Sequence, residues 1–250
     1  VISVEDVRGL ASFFQLSAAD GGRRVVIVDA ADEMNPQAAN ALLKMLEEPP
    51  ERATLLLVSH QPSGLLPTIR SRCRVLRLGT LGPEDMARAL AQAGHQETGD
   101  AAALSERSGG SVGAALRLSL LDGLSTYTAL VKLVRTIPQI DRAVAVKLAE
   151  GAAARGAEAK RDLLFVLLDL LMARLARTGA SGAPPIVEAA PNEADVLSKL
   201  SPTPHAGRVW AEIAQETSAR ARHGLAVNLD PAALVLDTLL KMSEAPSRQA

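Results

Sequence analysis

The run Val25-Val26-Ile27-Val28 closes on Asp29, and a second apolar run reaches Ser59 after an intervening helical segment. A short, continuous apolar run has the pattern of a strand buried on both faces. Two such strands joined through a helix fit a parallel sheet, because parallel neighbours need a crossover connection. The intervening helix carries its own boundaries. Asn35 is a suitable N-cap and Pro36 a suitable first helical residue, Leu42, Leu43, Met45 and Leu46 supply the apolar face, and Pro49-Pro50 stops the segment. Upstream, Val4, Val7, Leu10 and Phe14 recur at helical spacing, with Gly21-Gly22 as the expected stop. Downstream, a short helix over Leu65 to Arg72 and a third strand over Val75 to Leu78 complete a strand-helix rhythm.

After Leu81 the pattern becomes helical. Segments opened by Pro83, Asp100 and Ser111 predict a small bundle, with Gly109-Gly110 between its last two helices and Gly123 near the end of the third. Longer amphipathic helices are expected over 126–137, 141–155, 158–177, 205–223 and 231–242, with a mobile loop over Thr178 to Pro191 and a disordered tail after Ser243. The expected class is therefore α/β plus all-α. The expected domains are residues 1–80 with the sheet, 81–123 as a small helical domain and 124–250 as a second helical domain.

Composition narrows the function. The chain is 48% apolar and 22% charged, with only five aromatic residues, Phe13, Phe14, Phe165, Tyr127 and Trp210, so its cores rest on Leu, Val and Ala. A net charge of −1 supplies no global field to draw in nucleic acid. One cysteine rules out a disulfide framework and a cysteine-rich metal site, so no metal is expected. No apolar stretch reaches the ~18 residues of a membrane span, and the cytoplasm is the expected compartment. The first residue is Val1 rather than Met, so a preceding piece is expected to be missing.

Two groups of residues carry candidate chemistry. An acid at the end of a parallel strand can orient magnesium water beside a nucleotide, and hydrolysis also needs an adjacent acid to activate the attacking water. This strand ends Asp29-Ala30-Ala31-Asp32-Glu33, and Ala30 can neither take a proton nor hold water, so turnover by this chain is not expected. A plain strand end is the other reading of Asp29 and Asp32. The second group is Arg70, Arg72, Arg74 and Arg77, which no nearby acidic run neutralises. Spacing leaves open an anionic partner for them or the mere solvation of a sheet edge.

The stretches Asn40 to Pro50 (Asn-Ala-Leu-Leu-Lys-Met-Leu-Glu-Glu-Pro-Pro) and Leu66 to Cys73 (Leu-Pro-Thr-Ile-Arg-Ser-Arg-Cys) resemble the clamp-loader branch of the AAA+ proteins. The resemblance implies that Ser71-Arg72-Cys73 is a finger motif, with Arg72 donated in trans to a neighbour's ATP. It also places Asp29, Ala30 and Asp32 at a degenerate Walker B strand. Ser59 and His60 fall at the first sensor, where His60 replaces the usual Asn, and Gly113 replaces the second-sensor arginine. Loss of the catalytic acid and the second sensor, with Arg72 kept, is similar to the delta-prime subunits of bacterial DNA polymerase III. The segment Val227 to Leu240 is similar to the closing helix of their collar domain. This resemblance implies a partial AAA+ core, a helical lid and a collar, in a non-motor subunit that binds no cofactor of its own beside a neighbour's ATP-Mg. The implied partners are gamma/tau and delta subunits, the beta sliding clamp and primed DNA at a cytoplasmic, nucleoid-associated replisome. A motor subunit of the gamma/tau type and a purely structural helical adaptor are the alternatives.

Overall fold

The structure is a computed structural model and describes residues 2–15, 22–95 and 101–249. The chain divides into two compact units, Val1–Leu78 and Gly79–Ala250.

The first unit opens with helix α1 (Val4–Gln15), followed by strand β1 (Arg24–Val28), helix α2 (Pro36–Glu47), strand β2 (Ala53–Leu57) and the single-turn helix α3 (Pro67–Arg70). β1 and β2 pair in parallel, Arg24 opposite Ala53 through Val28 opposite Leu57, with α2 as their crossover. α2 begins as its sequence dictates: the Asn35 side chain accepts from the Ala38 N–H at 2.8 Å, and Pro36 fills the first position. Val7, Phe14, Ala38, Leu42 and Met45 from the two helices form a core against Val26, Leu55 and Leu57. One face of the sheet is thus covered by helices. Val25, Ile27 and Leu56 face the other way and are exposed.

The third expected strand is not formed. Val75, Leu76 and Leu78 are 72, 82 and 86% exposed, and no strand includes them. Strand identity needs a ladder of hydrogen bonds to a neighbour, which an apolar pattern cannot supply by itself. The expected helix stop at Gly21 lies outside the described residues.

Among its described residues the regular structure of the second unit is helical: α4 (Pro83–Gln92), α5 (Ala101–Ser108), α6 (Val112–Leu120), α7 (Gly123–Val134), α8 (Arg142–Ala153), α9 (Glu158–Ser181), α10 (Glu193–Leu200), α11 (Pro204–Ala226), α12 (Pro231–Ser243) and α13 (Ala245–Gln249). Caps recur where sequence puts them. Asp141, Thr203 and Asp230 each accept from N–H groups of the first turn of α8, α11 and α12, the last two followed by Pro at the first position. One continuous cluster of buried residues runs from Met86 in α4 through Leu171 and Trp210 to Ala245, so the helices on both sides of Gly123 share a core.

Four expectations need correction here. Gly123 opens α7 instead of lying near the end of α6, and Asp122 before it takes a left-handed conformation. The loop expected from Thr178 starts later, because α9 continues to Ser181 and ends on Gly182 at φ 73°. α10 lies in a stretch without an expected helix. The tail after Ser243 forms α13 on the core, with Ala245 fully buried. The expected opening of α5 at Asp100 lies outside the described residues.

α9 and α11 cross unusually closely. A Cβ on Gly207 would lie 2.7 Å from the Ala176 carbonyl oxygen and 2.9 Å from the Ala180 nitrogen, and one on Gly179 would lie 2.6 Å from the Gly207 nitrogen. Only glycine lets the two backbones meet.

Candidate functional site

Parallel neighbours end at the same edge of a sheet, so the residues that follow β1 and β2 are brought together. The Val58 N–H donates to the Val28 carbonyl at 2.9 Å, and the Ala31 N–H donates to the Val58 carbonyl at 2.7 Å. Beyond them the His60 N–H donates to Asp32 Oδ1 at 3.2 Å. Desolvation works against ionisation of Asp32. N–H groups of Asp32 and His60 and the Ser59 hydroxyl outweigh it and hold the carboxyl below its ordinary range. The residues expected as a degenerate strand end (Asp29, Ala30, Asp32) and as a first sensor (Ser59, His60) therefore lie at one locus. Asp29 is exposed and Ala30 is buried, so the position beside the strand acid presents no proton acceptor.

Arg72 sits one residue past the C-cap of α3. Its Nη1 donates to the Thr68 carbonyl at 3.0 Å, and its Nη2 lies 2.8 Å from Glu47 Oε1. The Ser71 hydroxyl donates to the same Thr68 carbonyl at 3.0 Å. Ile69, 1% exposed, anchors the turn that carries them. The Arg72 guanidinium is thus exposed, with contacts to Thr68 and Glu47. Burial pushes the Cys73 thiol above its ordinary pKa, which keeps the sulfur protonated beside the arginine. Arg70, Arg74 and Arg77 are exposed around it.

No acidic run near this cluster in sequence neutralises it, but the structure supplies an acid to Arg72: Glu47, the last residue of α2. Sequence proximity could not reveal it, because the pair is made by the packing of α3 on α2. Gly113 lies in the other unit, second in α6, and is exposed with nothing within 4 Å of a Cβ placed there. A side chain longer than glycine's would meet no neighbour at its Cβ there. Among the described residues, no three His, Cys, Asp or Glu side chains gather as a metal site, and no helix is long and apolar enough to cross a membrane.

A second polar constellation has no motif to announce it. Arg174, 1% exposed, makes a two-pronged ion pair with the fully buried Glu193, with Nε to Oε1 at 2.8 Å and Nη2 to Oε2 at 3.0 Å. The Tyr127 hydroxyl donates to Glu193 Oε1 at 2.5 Å, and the Ala189 N–H donates to Oε2 at 2.5 Å. Nη2 also reaches the Val187 carbonyl and Nη1 reaches Glu106 Oε1, at 2.8 and 2.6 Å. Burial opposes the charge on Arg174, and Glu193 outweighs it, so the guanidinium pKa is raised. Burial first, and then the Glu193 carboxylate, push the Tyr127 phenol far upward. The one signal in the sequence is a lone Arg among Leu171, Met172 and Leu175 on an otherwise apolar helix face.

Residues 1–82 match the family described as DNA polymerase III, delta subunit. The delta-prime subunit of Pseudomonas aeruginosa is 58% identical over 72 residues, covering 29% of this chain and 22% of that protein. That of Escherichia coli is 43% identical over 74 residues, covering 30% of this chain and 22% of that protein. The tau subunit of Escherichia coli is 40% identical over 83 residues, covering 33% of this chain and 13% of that protein. The matched part thus spans about a fifth of the length of the delta-prime relatives. A solved gamma subunit-related protein of Thermotoga maritima superposes with a TM-score of 0.40 at 20% identity, over 100% of this chain and 80% of that one.

Proposed function

We propose, on the premise that the amino-terminal segment belongs to the clamp-loader family of DNA polymerase III subunits, that this chain is a non-motor, delta-prime-type subunit that supplies Arg72 in trans to a neighbour's ATP. The observation that carries this reading is the guanidinium itself: exposed, in contact with Thr68 and Glu47, and set in the Ser71-Arg72-Cys73 motif. An arginine brought to a transferring phosphoryl group stabilises the charge that develops on its oxygens, and such a contribution is worth roughly 10³- to 10⁵-fold in rate. Glu47 serves as a parking partner. A pair this exposed is worth little in water, about 0–1 kcal/mol, so a triphosphate displaces it at small cost.

The strand-end locus supports the non-motor half of the proposal. Ala30 offers no base, and Asp32 is occupied by the His60 N–H. The neighbour, with its ATP-Mg, and the delta and gamma/tau subunits form the hetero-oligomer of this proposal. The helical second unit, with a lid over 81–123 and a collar over 124–250 closed by the helix in Val227 to Leu240, holds the ring together. The beta clamp and primed DNA, met through backbone phosphates, are the substrates of the whole assembly in the cytoplasm.

The test is DNA- and clamp-stimulated ATP turnover by the reconstituted loader, with Arg72→Ala against wild type in complexes shown to assemble. A fall of about tenfold or more is expected once the site facing this chain limits the cycle. Unchanged turnover removes the finger role and leaves a scaffold. The likeness to the tau subunit favours a second reading, a motor subunit, for which the isolated chain would turn over ATP by itself.

A further inference from the structure

The buried ion pair of the second unit has one member unlike the rest. Arg174, Glu193 and Tyr127 belong to α9, α10 and α7 and are sealed from solvent, whereas Glu106 comes from α5 and its side chain is 36% exposed. Arg174 divides its donors accordingly. Nε and Nη2 satisfy Glu193 and Val187 within the bundle, and Nη1 alone is turned toward α5. The neighbouring residue Arg107 places its guanidinium 5.8 Å from the centre of the Tyr127 ring, so two consecutive side chains of α5 hold the same buried node.

The rest of the seam between residues 83–120 and the bundle is of a different kind. α6 and α7 meet at a sharp turn, with Asp122 left-handed and Gly123 packed so tightly that a Cβ there would lie 2.7 Å from a Leu118 methyl group. Among the described residues, Met86, Leu90, Leu104, Ala115 and Leu118 add apolar packing within the shared core. Apolar contacts do not fix direction, whereas a charge-assisted hydrogen bond of 2.6 Å does.

We propose that the Glu106–Arg174 contact is a releasable latch that sets the orientation of the α4–α6 segment on the helical bundle. Its release leaves the bundle whole, because Arg174 remains neutralised by Glu193 and water replaces the exposed Glu106 carboxylate. A latch built on Glu193 would lack this property, since its rupture would strand a charge in the core. The device is independent of the role given to Arg72 and stands whether or not that role is upheld.

Hydrogen exchange of the full chain tests it, comparing wild type with Glu106→Gln and with a control, Glu216→Gln, which removes the charge of another partly exposed pair, that with Arg248. In Glu106→Gln the amides of α4, α5 and α6 are expected to exchange roughly fivefold faster, a change fitting a partly exposed ion pair, with α9 and α11 unchanged. The control is expected to leave α4–α6 at the wild-type rate. Unchanged protection of α4–α6 in Glu106→Gln, equal acceleration of α9 and α11, or the same acceleration in the control would overturn the latch.

Discussion

Replacing Gly207 by Ala should destabilise the second unit although alanine is the better helix former. The new Cβ would lie 2.7 Å from the Ala176 oxygen and 2.9 Å from the Ala180 nitrogen, both backbone atoms that no rotamer change can move. Contacts with carbon are comfortable at roughly 3.5–4.0 Å, so α11 must retreat from α9 by at least about 0.8 Å, and a gap of that order forfeits a quarter to a half of each dispersion contact along the seam. Overpacking of this kind costs about 1–3 kcal/mol. Helix propensity returns ~1 kcal/mol, leaving a net loss of about 2 kcal/mol if the crossing sits at the upper end of that range. Gly151, in α8, has nothing within 4 Å of where a Cβ would stand, so Gly151→Ala should gain ~0.5–1 kcal/mol by the same propensity. Urea unfolding followed by the fluorescence of Trp210, the chain's single tryptophan, reads both. Trp210 is fully buried and donates its indole N–H to the Leu200 carbonyl at 2.9 Å, three residues along the same helix from Gly207. Opposite shifts of the two midpoints are expected. A Gly207→Ala midpoint above wild type would show that the crossing is not close-packed and would refute the reasoning.

Two further outcomes follow from the buried node. Arg174→Met should cost about 3–5 kcal/mol, because it leaves Glu193 charged without its counter-ion at 0% exposure, while Arg174→Met with Glu193→Met should recover part of that loss in the same urea assay, the buried Tyr127 hydroxyl and Ala189 N–H having lost their acceptor. Tyr127, the chain's only tyrosine, should hold its proton in the native state well past pH 10. Its raised native pKa means that above ~10 the unfolded chain releases a proton that the native chain keeps, so stability falls as pH rises there and is unaffected below. Tyrosinate absorbance should therefore appear together with the loss of native Trp210 fluorescence; ionisation near pH 10 with Trp210 still native would contradict the burial argument.

Local signals in the sequence are enough for the elements they govern. Asn35-Pro36 and Pro49-Pro50 bracket α2 because capping and proline sterics act within a few residues. The same holds for Asp141, Thr203 and Asp230, and the apolar runs of β1 and β2 pair as a parallel sheet requires. Features that depend on a partner are not legible. Val75 to Leu78 has a strand's composition and no ladder, and α10 is held in place by Glu193, whose partner Arg174 is 19 positions away. At the candidate site Asp29, Asp32, Ser59, His60 and Arg72 can be picked out from motifs, but the Glu47 partner arises from helix packing alone. Thr178 to Ser181 reads as loop because glycine and β-branched threonine weaken helix preference, and burial of Thr178 and Gly179 against α11 overrides it.

α2 joins the two halves of the candidate site. Its first turn is capped by Asn35, two residues beyond the short 3₁₀ turn Ala31–Glu33 that contains Asp32, and its last residue, Glu47, grips Arg72. Twelve residues make a rod about 18 Å long. A tilt of only about 5° at one end displaces the other by roughly 1.6 Å, enough to break a charge-assisted hydrogen bond of normal length. The helix thus sets the span between the strand-end acids and the arginine's ion pair, and any change in its tilt is felt at Arg72.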